Sequence, residues 1–286
     1  MGILARMSKT VPRMFVASPL SLQARVVVGD KQAHYLQGVM RLKAGDTVAL
    51  FNGSDGEWQA TIAGNTKHEV TLECTAQTRP HAASPDMMVC FAPPRGGRID
   101  SIIEKATELG ARVLQPVRTE RSVVDKINTE KWQLAVREAA EQCERLDVPD
   151  IRPMVTLGQL LAGWDAQRPL FYGDESGASA PLDALPSPVG GGQGGGMMGT
   201  DGASYSPPPI LPPIGGGDTA RWAILTGPEG GFTPQELAHM RSVQGVHGIS
   251  LGPRILRTDT AVITLCALTQ ARFGDWELRP RFENPS

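Results

Sequence analysis

The stretch from Ala223 to Leu268 constrains this 286-residue chain more than any other. It repeats one grammar twice: an apolar run, a sharp turn containing Gly and Pro, then a helical segment. In the first copy, Ala223, Ile224 and Leu225 read as a short buried strand, and Gly227-Pro228-Glu229-Gly230-Gly231 as a tight loop. Gly tolerates positive φ and lets a backbone or a ligand approach closely. Thr233 is the helix N-cap, Pro234 takes the first helical position, and Glu236 closes a capping box. The second copy runs Gly248-Ile249-Ser250-Leu251, then Gly252-Pro253, then a helix from about Asp259 to Phe273 stopped by Gly274. Two such units place two loops at the carboxyl ends of neighbouring strands, where open α/β sheets bind ligands. The loops offer backbone N–H and C=O groups suited to a flat hydrogen-bonding group such as an adenine. Taken alone, they are equally consistent with ordinary βα turns.

The rest of the chain divides in two. Up to about Ala82 it reads mostly as β structure, with runs at Arg25–Val28, Thr47–Phe51, Glu57–Ala63 and Glu69–Cys74 separated by Gly/Asp/Asn turns. Short strands this closely spaced suggest a small barrel. His34 to Leu42 reads as a short helix with Tyr35, Val39 and Leu42 on one face. The Pro-containing stretch Thr78–Pro85 marks the boundary, giving domains 1–82 and 83–286. Beyond it, strands and helices alternate, which argues for a mostly parallel α/β sheet. The reading has strands from Met87, Val113 and Pro169, an amphipathic helix Asp100–Leu109, a long helix Glu130–Leu146 and a weaker one Leu157–Ala166. Pro186 to Asp218 is about half Gly and Pro and reads as an inserted loop.

Composition excludes several classes. A net charge of −2 argues against gross electrostatic attachment to nucleic acid and leaves a local basic patch open. No G-x-G-x-x-G opens a βαβ unit and no P-loop is present. Cys74, Cys90, Cys143 and Cys266 are widely spaced, as buried thiols of a reducing compartment are, and the five His residues lack metal-ligand spacing. His239 and His247 read as surface or cap residues. The N-terminus lacks the apolar run of a signal peptide and no segment has membrane-spanning length, so a cytoplasmic location is expected.

GPEGGFTPQE followed by LGPRILRTDTA resembles the signature of the SPOUT superfamily of RNA methyltransferases. Within it, the chain is most similar to the bacterial 16S rRNA (uracil-N3) methyltransferases. RMFVASPL, HYLQGVMRLKAGD, RIDSIIEKATELGA, TERSVV and EAAEQCERLDVPDI resemble that family's other segments, in its order. The resemblance implies an N-terminal PUA-like RNA-binding β-barrel and a C-terminal SPOUT α/β domain with a deep trefoil knot. It further implies S-adenosylmethionine as cofactor, 16S rRNA of the small subunit as partner, a homodimer, and no metal. On that reading the cofactor lies against Leu225, Thr226, Gly227, Gly230, Gly231, Leu251, Gly252, Leu256 and Thr258. RNA would meet Arg13, Arg41, Lys43, Arg95, Lys105 and Arg121, although any one of these taken singly reads as a solvated charge.

The acceptor sets the chemical difficulty, because N3 of uracil carries a proton that must leave. Ionising it near neutral pH costs ~3–4 kcal/mol, and a guanidinium within ~4–6 Å lowers such a pKa by about 1–3 units. Arg257 and then Arg254 are the candidates for that guanidinium, with Arg13 and Arg121 matching family positions. Glu229 or Asp259 are candidates for receiving the proton, and either equally reads as a residue holding its loop. The competing readings are a SPOUT methyltransferase for another rRNA or tRNA base, and a non-catalytic RNA-binding assembly factor.

Overall fold

The computed structural model describes residues 11–182 and 221–276, so the 186–218 insert lies outside the described residues. The chain forms two compact units: Met1–Ala83 with Arg137–Val148, and Ser84–Val136 with Pro149–Ser286. The first boundary falls after Ala83, and Arg137–Val148 joins the first unit as well.

In the first unit, strands β1 (Arg13–Phe15), β2 (Arg25–Gly29), β3 (Thr47–Phe51), β4 (Glu57–Asn65) and β5 (Glu69–Arg79) form one sheet in the order β1-β3-β4-β5-β2. β1 pairs β3 in parallel and the other pairings are antiparallel. The ladder leaves β1 and β2 as edges, a half-barrel rather than a closed barrel. Alternation puts Val26, Val28, Val48, Leu50, Val70 and Leu72 in one core. The expected helix His34–Leu42 is shifted: α1 (Asp30–His34) runs into a single π-turn, Tyr35–Val39. The wide turn brings Gly38 beneath His34, where a Cβ would sit 2.9 Å from the ring, and Arg41 ends it at φ 54°. A second apolar cluster joins Phe15 and Phe51 to Ala140, Leu146 and Val148, which is why Arg137–Val148 belongs to this unit.

The second unit contains strands β6 (Asp86–Phe91), β7 (Val113–Arg118), β8 (Asp150–Ile151), β9 (Val155–Thr156), β10 (Leu170–Gly173), β11 (Arg221–Thr226) and β12 (Val246–Ile249). Its helices are α2 (Arg98–Glu108), α4 (Leu157–Ala162), α5 (Pro234–Ser242) and α6 (Thr258–Phe273), while α3 (Thr129–Gln142) is shared between the two units. Every pairing is parallel, in the order β12-β10-β11-β6-β7-β8, with β9 also on β7. β6 and β11 are buried almost throughout, as strands covered on both faces are. α6 packs on α2, β6 and β11 through Val262, Leu265, Cys266 and Phe273.

Four further points differ from the sequence reading. α3 stops at Gln142 rather than Leu146, because Glu144 is left-handed at φ 60°. α4 ends at Ala162, before Gly163, rather than at Ala166. His247 is no surface residue: it is buried, its ring lies 5.8 Å from that of Phe171, and burial pushes its pKa down. β12 also does not neighbour β11. β10 lies between them, in register Tyr172↔Leu225 on one side and Tyr172↔Gly248 on the other.

Candidate active site

Because β10 separates β11 from β12, three loops, not two, meet at the carboxyl ends of these strands. They enclose a cavity of ≈ 280 Å³. The first wall is Thr226–Glu229, the second is Ser250–Leu256 with Thr258 and Ala261, and the third is Gly173–Glu175 with Gly177.

Local sequence explains the first two walls. The first loop closes when the Gly231 N–H donates to the Pro228 carbonyl at 2.9 Å, with Gly231 at φ 67°. α5 then starts at the anticipated capping box, where Thr233 N–H donates to Glu236 Oε2 and Glu236 N–H to Thr233 Oγ1. Glu236 Oε1 also accepts from the Glu120 N–H at 2.8 Å, which holds the charged loop after β7. The second loop turns at Gly252, whose φ of 95° suits glycine. Thr258 Oγ1 donates to the Gly227 carbonyl at 3.1 Å and stitches the two loops together. N-cap Arg257 makes no side-chain cap, so the first-turn N–H groups of α6 remain a positive pole beside the cavity.

The third wall carried no site assignment from sequence, although Gly173-Asp174-Glu175-Ser176 follows a strand. Asp174 is its fixed point. Burial is the largest single influence on its carboxyl and pushes its pKa up. Hydrogen bonds from Ser176, Ser179 and Arg241 together outweigh burial and hold it below the ordinary value.

Of the anticipated residues, Thr226, Gly227, Leu251, Gly252, Leu256, Thr258, Glu229 and Arg254 line the cavity. Leu225 is fully buried in β11 and packs in the sheet core instead. Gly230 and Gly231 form the turn behind the lining. Arg121 Nη1 donates to the Gly230 carbonyl at 2.6 Å, and a Cβ on Gly230 would lie 3.4 Å from the Arg121 side chain. Arg121 is thus a brace on the first loop. Glu229 is ion-paired with Arg98 at 3.1 Å.

Arg13 is corrected most sharply. It belongs to the first unit, where its Nε bonds Glu57 at 2.6 Å and its Nη atoms bond the carbonyls of Ala140 and Arg145. Its guanidinium also lies 3.8 Å from the Phe51 ring centroid. With the guanidinium engaged on all sides, Arg13 holds the end of α3 rather than a substrate. Lys105 is held between Glu104 and Glu108, which raise its pKa. Arg41, Lys43 and Arg95 are exposed. Arg254 and Arg257, both exposed, have no carboxylate partner among the described residues.

The lining fits an adenosine-type cofactor chemically. Leu251, Ile255, Leu256 and Ala261 supply apolar surface, and the Gly-rich turns expose backbone donors and acceptors. The buried Thr226 hydroxyl has no partner among the described residues.

Fold and site together describe an α/β enzyme-type unit, with its ligand cleft at the carboxyl ends of a parallel sheet, in a chain that also contains a small β unit. Residues 82–195 and 205–270 match the RNA methyltransferase domain family, and residues 28–73 match the RNA methyltransferase PUA domain. A relative from Synechocystis sp., named ribosomal RNA small subunit methyltransferase E, is 33% identical over 87% of this chain and 74% of its own length. A relative of the same name from Rickettsia conorii is 28% identical over 91% of this chain and 94% of its own. A Legionella pneumophila protein solved with the bound cofactor SAM is 25% identical with a TM-score of 0.73, covering 93% of this chain and 99% of that one. The chain belongs to the RNA methyltransferase family.

Proposed function

We propose that this protein transfers the methyl group of S-adenosylmethionine to N3 of a uridine in the 16S rRNA of the small ribosomal subunit. The observation that carries the reading is the three-walled cleft, apolar and backbone-rich within, with exposed Arg254 in its second loop and exposed Arg257 at the helix N-cap just after it, neither having a carboxylate partner among the described residues. Relatives named for small-subunit ribosomal RNA methylation support the choice of RNA. Thr226, Gly227, Leu251, Gly252, Leu256 and Thr258 would hold the cofactor, which supplies a methyl group on a good leaving group.

The protein's task is then the acceptor. Arg257, at the N-terminus of α6, and Arg254 supply fixed positive charge that favours the uracil anion by about 1–3 pKa units, most of the ~3–4 kcal/mol deficit. Glu229 is engaged by Arg98 and serves as a loop brace. Asp259, in the first turn of α6, stays the candidate for receiving the proton, although its unpartnered Oδ1 is buried and the residue lies behind the cavity lining. The remaining acceleration comes from holding the nitrogen in line with the methyl.

The same reading gives RNA contact to Arg41 and Lys43 of the first unit and to Arg95 of the second. It includes a trefoil-knotted C-terminal segment and a cytoplasmic homodimer. Exposed Ile255, Leu268 and Trp276 supply apolar surface for a second copy. Among the described residues, no helix is long and apolar enough to cross a membrane, and no His/Cys/Asp/Glu group is arranged to hold a metal ion.

The test combines calorimetry with S-adenosylmethionine and single-turnover methylation of small-subunit RNA, the product being identified by nucleoside mass spectrometry. Arg257→Ala should lose far more rate than Arg257→Lys while both bind cofactor normally, and its rate should partly recover as pH rises. Equal activity of wild type and Arg257→Ala would end the role given to Arg257. RNA binding without turnover would replace the enzyme reading with an assembly factor.

A further inference from the structure

We propose that the Asp174–Arg241 ion pair is a positioning device that sets the third wall of the cleft and thereby the cleft's affinity for S-adenosylmethionine. The inference rests on the function proposed above. Asp174 is the first residue past β10 and lines the cavity, yet its side chain is 0% exposed. Its Oδ1 accepts from the Ser176 N–H at 2.9 Å. Its Oδ2 accepts from the Ser179 hydroxyl at 2.6 Å and from Arg241 Nη2 at 3.2 Å. Arg241 arrives from α5 and donates also to Ser176 Oγ at 3.1 Å. The Ala180 carbonyl accepts from the Ser250 N–H at 3.0 Å, so the wall is tied to the start of the second loop as well. Gly248 makes room for the arrangement, since a Cβ there would sit 2.3 Å from Ser179 Oγ and 2.9 Å from the Tyr172 hydroxyl.

Each of these bonds is local to the wall or braces it from a neighbouring element. A surface loop left to itself samples many conformations, and ordering it costs ~1–2 kcal/mol per residue. A carboxylate that gathers several donors selects one conformation, and a cleft already in its binding shape loses less entropy when a ligand enters. The pair breaks asymmetrically. Without Arg241, Asp174 keeps its burial and loses its cation, so the wall must rearrange.

The experiment compares wild type, Arg241→Met, Arg241→Lys and Asp174→Asn. Calorimetry with S-adenosylmethionine should show about 10-fold weaker binding for Arg241→Met and for Asp174→Asn, the scale of one lost charge-assisted hydrogen bond. Arg241→Lys should recover part of the loss. KM for the cofactor should rise with kcat unchanged at saturation. Without cofactor, hydrogen exchange at Ser176 and Ser250 should quicken in Arg241→Met while that of β6 stays the same.

A pH series adds a further readout. The groups facing Asp174 are Arg241 from α5, Tyr172 from β10, and Ser176 and Ser179 of its own loop. Tyr172 is raised by burial and Arg241 by its bonds, so neither titrates between pH 5 and 8. Relative to wild type, Arg241→Met should lose affinity as pH falls toward 5, because burial then pushes the Asp174 carboxyl up with less to oppose it. If wild type binds and a folded Arg241→Met binds within twofold of it with unchanged exchange, the positioning role is overturned. If wild type itself does not bind S-adenosylmethionine, the functional reading fails instead.

Discussion

Arg13→Ala tests whether that arginine holds the fold or handles substrate. The side chains of Arg13 and Glu57 are only 9% and 11% exposed, so solvent screens their contact little. Removing a partner from a buried pair costs about 3–5 kcal/mol. Here Glu57 keeps Thr78 at 3.0 Å and Arg79 at 3.4 Å, which trims that figure. The substitution also strips a donor from the Ala140 and Arg145 carbonyls at the end of α3, each worth about 1 kcal/mol net, together with the stacking on Phe51. With the pair's own loss trimmed to about 1–2 kcal/mol by those remaining partners, the sum is roughly 3–4 kcal/mol, and Tm should fall by roughly 6–16 °C. Arg13→Lys should recover less than half, because one ammonium cannot meet three acceptors spread around a planar fork. The assay is urea unfolding followed by circular dichroism, with calorimetry for S-adenosylmethionine on the folded variant. A loss below about 1 kcal/mol would refute the reasoning. So would a variant of normal stability whose only defect is turnover, which would return Arg13 to the substrate.

Two glycines separate cleft from scaffold. Gly252→Ala forces an L-residue to φ 95° at the cleft and should weaken S-adenosylmethionine binding by about 10-fold, whereas Gly230→Ala meets Arg121 and should leave affinity within about threefold by calorimetry. His247 is buried and its pKa is depressed, so its neutral form is favoured by folding, and the stability it confers above its unfolded pKa is lost as pH falls. His247→Phe should therefore flatten the dependence of the urea midpoint between pH 7 and 5, and an unchanged slope would assign that dependence to other groups.

Local chemistry carries its meaning in the sequence, and those features were legible there. The Thr233/Glu236 capping box, the Gly252 turn and the strand–loop–helix grammar depend on neighbours within a few residues, and such neighbours are read directly from order. The alternating elements after Met87 likewise required a parallel sheet. Even the segment Gly173–Ser176 could be placed at a strand's end from its pattern, although nothing local showed that the strand ran between the other two.

Strand order is a long-range property, decided by which apolar faces fit together, and it turned a two-loop site into a three-walled cleft. The same holds for charge. Arg13, Arg121 and Glu229 look in sequence like Arg254 and Arg257, because a side chain's availability depends on partners far away along the chain. Arg13 meets Glu57 and the end of α3, Arg121 meets Gly230, and Glu229 meets Arg98. By itself the sequence determined the turns, the caps and the kind of sheet, through interactions spanning a few bonds. Tertiary structure alone decided which strands adjoin and which charges remain free to act, because pairing between residues a hundred positions apart exists only once the core has packed.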